Sequence, residues 1–294
     1  MASQKILLYG HASVNGITFG SKDHEVHGSI DDSGEIVVEA MKIEKTKNQN
    51  RIEEIINKIP VIRGTYLILK MGAKIWKEVG LLKTIVIFSV SIALSFLFDY
   101  VFQDYIAPSE TISVQMSLIY QILLVDGMFL ALIVMLKLLL LISIAAESSK
   151  SLNFINRGHL ADLVKIFRFH GAEHKTANFY ERNDDLTNIS VEDVKKYSTV
   201  TDNCGSSYYF IFLAVANVYF IFGFSINVPL LTLFLLFPFI YGVSYELLPL
   251  SEKFRFMVYP GLILQKYVIT IEPSERQIEV GIAAIKKLVE IEGG

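Results

Sequence analysis

Long apolar blocks interrupt a chain that is otherwise patterned for strands and amphipathic helices. A membrane-spanning helix needs about 20 mostly apolar residues, and four stretches meet that test: 81–98, 118–144, 207–226 and 228–247. The last two are joined only by the residues around Pro229, which predicts a helical hairpin. Ahead of the first block, residues 4–43 alternate and carry turn residues. EVHGSI and EIVVEAMKI, separated by Asp31-Asp32-Ser33-Gly34, predict a β-hairpin with a φ > 0 position in its turn. His24 and His27 then fall on opposite faces of one strand and make a poor ligand pair. From Arg51 to Val79 the spacing becomes helical, broken at Pro60, with Lys70, Lys74, Lys77 and Trp76 approaching the first block. That segment either lies in the membrane interface or packs on the polar part of the protein. Near the C-terminus, Ser274 followed by Gln277 forms a capping box behind Pro273. Ile278, Ile282, Ile285 and Val289 make an apolar stripe, which predicts an amphipathic helix.

The expected fold is therefore an integral membrane protein, predominantly α, with four transmembrane helices and a cytoplasmic α+β part that includes a small N-terminal β-rich element. Its divisions are a β-rich element at 1–50, amphipathic juxtamembrane helices at 51–80 and spans at 81–98 and 118–144. A motif-bearing segment at 145–206, spans at 207–226 and 228–247, and a tail at 248–294 complete the chain. Lys and Arg set the orientation. Eleven precede Leu81, eight lie in 145–206 and six follow Leu248, whereas 99–117 has none. Both termini and the central segment are expected in the cytoplasm of a multi-pass cell-membrane protein, with 99–117 outside. The first residues lack the long apolar core of a signal peptide, so an internal helix would direct insertion. Asp126 and Lys137 share a face of the second span about 16 Å apart along its axis. Either Lys137 snorkels and Asp126 is satisfied among helices, or Asp126 belongs to a polar path.

Composition agrees with a lipid-facing chain. Of 294 residues, 52% are hydrophobic and 19% charged, and the mean hydropathy is +0.44; soluble domains carry about 25% charged residues. A net charge of −3 offers no basic face for nucleic acid. Cys204 is the only cysteine, so no intrachain disulfide can form.

The most informative stretch is FRFHGAEHKTANFYE, residues 167–181. On a helix, His170 and His174 project from one face with Glu173 beside them. This H-x-x-E-H spacing is that of sites where two imidazoles hold a divalent ion, most simply Zn²⁺, and the carboxylate moves a proton or ligates. The competing reading has the histidines capping carbonyls or packing on Phe169, Phe179 and Tyr180. Further candidate ligands are Glu181, Asp202, Cys204 in DNCGSS and Glu246 in YGVSYE, all expected at one membrane face.

Taken together, these motifs resemble the YqhQ-like family of bacterial membrane proteins, a domain of unknown function considered a predicted metal-dependent enzyme. FHGAEHKTANFYE, NCGSS, GVSYEL, VIRGTYLILKMG and PGLILQKYVITIEPSERQIEVGIAAI follow that family's order over most of the chain. The resemblance implies that Arg63, His170, Glu173, His174, Glu181, Cys204, Tyr245, Glu246 and Gln265 occupy motif positions. It also exposes departures. Thr201-Asp202-Asn203 stand where the family reads His-Pro-Arg, and His11 and Asn15 stand where it has Gln and Glu. Either His11 or Asp202 substitutes in a retuned site, or metal binding is weakened.

Two functions follow. One is a metal-dependent hydrolase acting on a lipid-linked or membrane-surface substrate, with His170, His174, Cys204, Glu246 and Glu181 as metal ligands and Glu173 as the catalytic carboxylate. The other is a non-enzymatic scaffold, binding a membrane protein partner or organising the lipid bilayer through a degenerate site. Transport is a weaker third idea that rests on Asp126 and Lys137 alone.

Overall fold

Alternation and turn chemistry together build a four-stranded antiparallel meander: β1 (Tyr9–Ala12), β2 (Gly16–Gly20), β3 (His24–Ile30) and β4 (Ile36–Lys42), in that spatial order. The structure is a computed structural model that describes residues 6, 9–43, 53–67, 69–70, 159–183, 186, 188–226, 228 and 230–293. The turn between β3 and β4 is held by Asp31, whose Oδ1 accepts from the N–H groups of Ser33 and Glu35, each at 2.9 Å. Gly34 takes φ +84° there, the left-handed conformation expected of that turn. His24 and His27 diverge as expected, His27 meeting Thr18 Oγ1 at 2.8 Å and His24 meeting Glu292 at 2.8 Å.

Three helices accompany the sheet in one compact unit: α1 (His159–Arg182), α2 (Val191–Lys195) and, at the end of the chain, α7 (Glu275–Gly293). The capping box is formed, with Gln277 Oε1 accepting from the Ser274 N–H at 2.9 Å. Behind that cap, α7 buries Ile278, Val280, Ile282, Ala284, Ile285 and Leu288. They pack with Ile17, Phe19 and Val26 of the sheet and with Phe169, Ala172, Phe179 and Tyr180 of α1 in one core. A helix α6 (Tyr259–Leu264) and a π-helical turn (Gln265–Ile269) belong to the same unit.

The second unit contains residues 53–67, nearly all of α3 (Gly205–Ser225), and α4 (Leu230–Leu247) and α5 (Leu250–Lys253). Helical turns over 53–57 and 62–67 are separated at Pro60, as the sequence predicts. The residue after the break, Val61, takes φ 65°, a costly conformation for a β-branched side chain. Glu246 compensates by accepting from the Val61 N–H at 3.0 Å while receiving Arg63 through Nε at 2.7 Å and Nη2 at 2.5 Å.

The expectation of a predominantly α membrane protein with four transmembrane helices is corrected here. Among the described residues, one helix is long and apolar enough to cross a membrane, Gly205–Gly223. The observed α4 has 18 residues and Pro238 inside it; at 1.5 Å per residue it reaches about 27 Å, short of a hydrocarbon core of about 30 Å. The spans expected at 81–98 and 118–144, and the outward loop at 99–117, lie outside the described residues. The polar part is an α+β body with its own core, built from residues outside the four apolar runs. The segment at 145–206 contains α1, the central helix of that body.

Ile285 is fully buried between α7 and its neighbours. Ile285→Ala is expected to lower unfolding free energy by about 2–5 kcal/mol, read from a urea midpoint at unchanged slope. A loss below about 1 kcal/mol would contradict this packing.

Candidate metal centre

α1 carries its polar motif on a buried side. His174 is 2% exposed and Glu173 7%, and Lys175, Thr176 and Asn178 are also buried. Burial on this scale demands partners for each polar group, and a stretch of main chain supplies most of them. Lys175 Nζ donates to the carbonyls of Lys195 and Tyr197, each at 2.8 Å. Asn178 Nδ2 donates to those of Ser198 at 2.9 Å and Val200 at 3.1 Å. His174 Nδ1–H donates to the carbonyl between them, Thr199 O, at 2.7 Å. The motif thus clips residues 195–200 along α1, the segment that leads to Cys204.

His170 is fixed in the same way from another direction. Its Nδ1–H donates to Ile269 O at 3.1 Å, at the end of the π-helical turn. Gly171 lets that chain come close, because a Cβ there would sit 2.3 Å from Ile271 O. A carbonyl only accepts, so both imidazoles carry their proton on Nδ1 and leave Nε2 bare. The two rings lie 4.3 Å apart at 67°, and His170 Nε2 meets Cys204 Sγ at 3.6 Å. Ser206 Oγ donates to the same sulfur at 3.4 Å.

Glu173 completes the cluster. Its Oε2 lies 3.6 Å from His174 Nε2 and 3.8 Å from His170 Nε2. Gly10 of β1 lies over it; a Cβ on Gly10 would meet Glu173 Oε1 at 2.4 Å. Burial raises the carboxyl to about 8, and lowers His174 to about 3 with help from the neighbouring His170. Burial also lowers His170 and raises the Cys204 thiol. At neutral pH the close approaches of Glu173 to the imidazoles therefore join uncharged groups and are not ion pairs. The cluster is a desolvated set of lone pairs and acidic protons, and a divalent cation supplies the charge that would release those protons.

The donor geometry suits such an ion. With N at about 2.05 Å and S at about 2.3 Å, a tetrahedral zinc has N···S edges of about 3.6 Å and N···O edges of about 3.3 Å. The observed His170 Nε2–Cys204 Sγ separation is 3.6 Å. His170, His174 and Cys204 offer ligand atoms all within 4.8 Å of one another, wider than a tetrahedral N···N edge of about 3.3 Å by at most about 1.5 Å. Glu173 stands slightly outside ligand distance, where it can reach a molecule in the fourth position.

The other sequence candidates lie elsewhere. Glu181 is exposed and accepts from Asn203 Nδ2 at 3.1 Å. Glu246 belongs to the second unit, engaged by Arg63 and Val61. Asp202 is exposed, and neither it nor His11 is in the group of convergent donors. Sequence reasoning overlooked Lys175 and Asn178; the recurrence of polar residues at 170, 174 and 178, one per helical turn, is the signal that pointed to Asn178.

A family model described as "Protein of unknown function (DUF1385)" matches residues 59–291. The chain belongs to the DUF1385 family. It is also similar to "Uncharacterized protein YqhQ" of Bacillus subtilis (strain 168), 29% identical over 325 residues, covering 96% of this chain and 92% of that protein. No solved structure matches it. The DUF1385 match includes every donor side chain of the cluster, whereas Gly10 and the sheet precede it.

The folded chain holds a proton on Glu173 that the unfolded chain, with an ordinary value of 4.5, releases. Stability of the chelator-treated protein should therefore fall as pH rises from 4.5 towards 8, by at most about 1.4 kcal/mol per unit from this group. His174 acts oppositely, its contribution being lost as pH drops from 6.5 towards 3. Glu173→Gln is expected to match wild type in urea unfolding near pH 4.5 and to exceed it progressively up to pH 8. A pH-independent difference would contradict the burial of this carboxyl.

Proposed function

We propose that this chain is a metal-dependent enzyme, most simply a zinc hydrolase, with His170, His174 and Cys204 holding the ion and Glu173 moving the proton. The observation that carries the reading is the pair of Nδ1–carbonyl bonds, which leave both Nε2 lone pairs beside one thiol. Metal-ligating histidines ordinarily donate their second N–H to a carbonyl or carboxylate in this manner. Three protein ligands and an open fourth position distinguish catalytic zinc sites from structural ones. When bound, the ion supplies Lewis acidity and lowers the pKa of a coordinated water.

The residues of the chain supply the rest. Thr199 O and Ile269 O hold the imidazoles in one tautomer, and Ser206 steadies the sulfur. Glu173, buried against Gly10, has its carboxyl 3.6 and 3.8 Å from the two Nε2 atoms, where it could pass a proton to or from a molecule in the fourth position.

We further propose that the substrate is presented at a membrane surface. Cys204 directly precedes Gly205, the first residue of the one described helix able to cross a bilayer, and Val218 and Phe222 on that helix are 68% and 63% exposed. A lipid-linked molecule held at that surface fits this arrangement. A second reading makes the site structural, with Glu173 as a fourth ligand; its oxygen lies within about 0.5 Å of the required edge.

Elemental analysis of the purified full chain is expected to find one zinc per chain, lost in a His170→Ala/His174→Ala variant. Glu173→Gln should keep the metal under the enzymatic reading and lose it under the structural one. Equal, sub-stoichiometric metal in wild type and the double variant would defeat both. In cell fractions the chain should stay with membranes through an alkaline carbonate wash; release into the supernatant would remove the membrane-surface part of the proposal.

A further inference from the structure

Cys204 directly precedes α3, and its carbonyl accepts from the Ser207 N–H at 3.0 Å. It lies in a turn between α2 and α3, and Asn203 before it and Gly205 after it are exposed. Ser206 Oγ donates to its sulfur at 3.4 Å, and the chain on both sides of it is held by a residue of the π-helical turn. Gln265 is fully buried. Its Oε1 accepts from the Thr201 N–H at 2.9 Å, and its Nε2 donates to Ser206 Oγ at 3.0 Å and Ser207 Oγ at 3.2 Å. One planar amide therefore grips the chain three residues before Cys204 and two and three residues after it, with its acceptor and both donor directions used.

The main chain that carries the amide is itself tied down. The Gln265 carbonyl accepts from both the N–H and the hydroxyl of Thr270, at 3.0 and 2.7 Å. Four residues on, Ile269 supplies the carbonyl that orients His170. Insertions of π-helical geometry are rare and recur at functional sites. This one sets two of the three donors, the His170 nitrogen through its main chain and the Cys204 sulfur through Gln265.

We propose that Gln265 is the positioning residue of the metal centre, holding the Cys204 turn so that its sulfur shares an ion with His170 and His174. The inference rests on the metal reading above. It makes a selective claim, because without the amide the imidazoles keep their own carbonyl tethers while the turn that carries the sulfur loses its link between Thr201 and the Ser206 and Ser207 hydroxyls.

The test is cobalt(II) titration of the metal-free full chain, followed by optical absorption, since a thiolate ligand adds a charge-transfer band that imidazoles do not. Gln265→Leu should bind cobalt roughly 10–100-fold more weakly and lose the band, approaching Cys204→Ser, with an unchanged far-ultraviolet circular dichroism spectrum. Should that variant fail to fold, Ser207→Ala, which removes one arm of the grip, should show a smaller loss of band and affinity. Wild-type affinity and band intensity in Gln265→Leu, or in Ser207→Ala where only that variant folds, would overturn the proposal while leaving the metal reading intact. A wild-type chain that takes up no cobalt would overturn both.

Discussion

A carbonyl oxygen can accept a hydrogen bond but never donate one, so an imidazole tethered to it through Nδ1 has a single neutral tautomer. In this chain Ile269 O and Thr199 O impose that condition on His170 and His174. Everything else in the cluster follows from the two bare Nε2 atoms. They have no charge of their own to attract a carboxylate, and burial keeps Glu173 protonated beside them. The thiol of Cys204 can point its proton at one of them. Such an arrangement has lone pairs, acidic protons and little water, which is the environment that a divalent cation changes most.

The scaffold exists to bring the carbonyls and the donors together. α7 packs across the sheet and α1 with a core of fully buried aliphatic side chains, among them Ile278, Ile285 and Leu288. That packing sets where the segment ahead of α7 crosses α1, and Gly171 admits its main chain at close range. Lys175 and Asn178 donate to the carbonyls of Lys195, Tyr197, Ser198 and Val200. The motif is thus partly a chemical set and partly a clamp. Lys175 has its ammonium between two carbonyls and the Glu272 carboxylate, 3.0 Å away, with its side chain 6% exposed.

Local physics made some of this legible in advance. The Asp31–Gly34 turn, the Ser274–Gln277 capping box and the four-residue spacing of the histidines involve neighbours in the chain, and the structure has all three. What escaped was set by distant partners. Nothing near His170 announces Ile269, and nothing near Glu246 announces Arg63. Counting apolar runs as membrane spans failed for a different reason. Hydropathy registers that a side chain avoids water but not how long the helix is, and α4 ends at 18 residues with Pro238 inside it. Departures from the family pattern at Thr201-Asp202-Asn203 also read differently in place. Thr201 contributes through its N–H, which many residue types supply, and Asn203 turns outward to Glu181.

The central claim is that one sulfur and two imidazoles meet on a single ion. X-ray absorption at the zinc edge of the purified full chain measures that shell directly. The account predicts one sulfur at about 2.3 Å and two imidazole nitrogens at about 2.0–2.1 Å, with one lighter atom completing four. A shell with no sulfur, or with oxygen and nitrogen only in six-fold coordination, would contradict it.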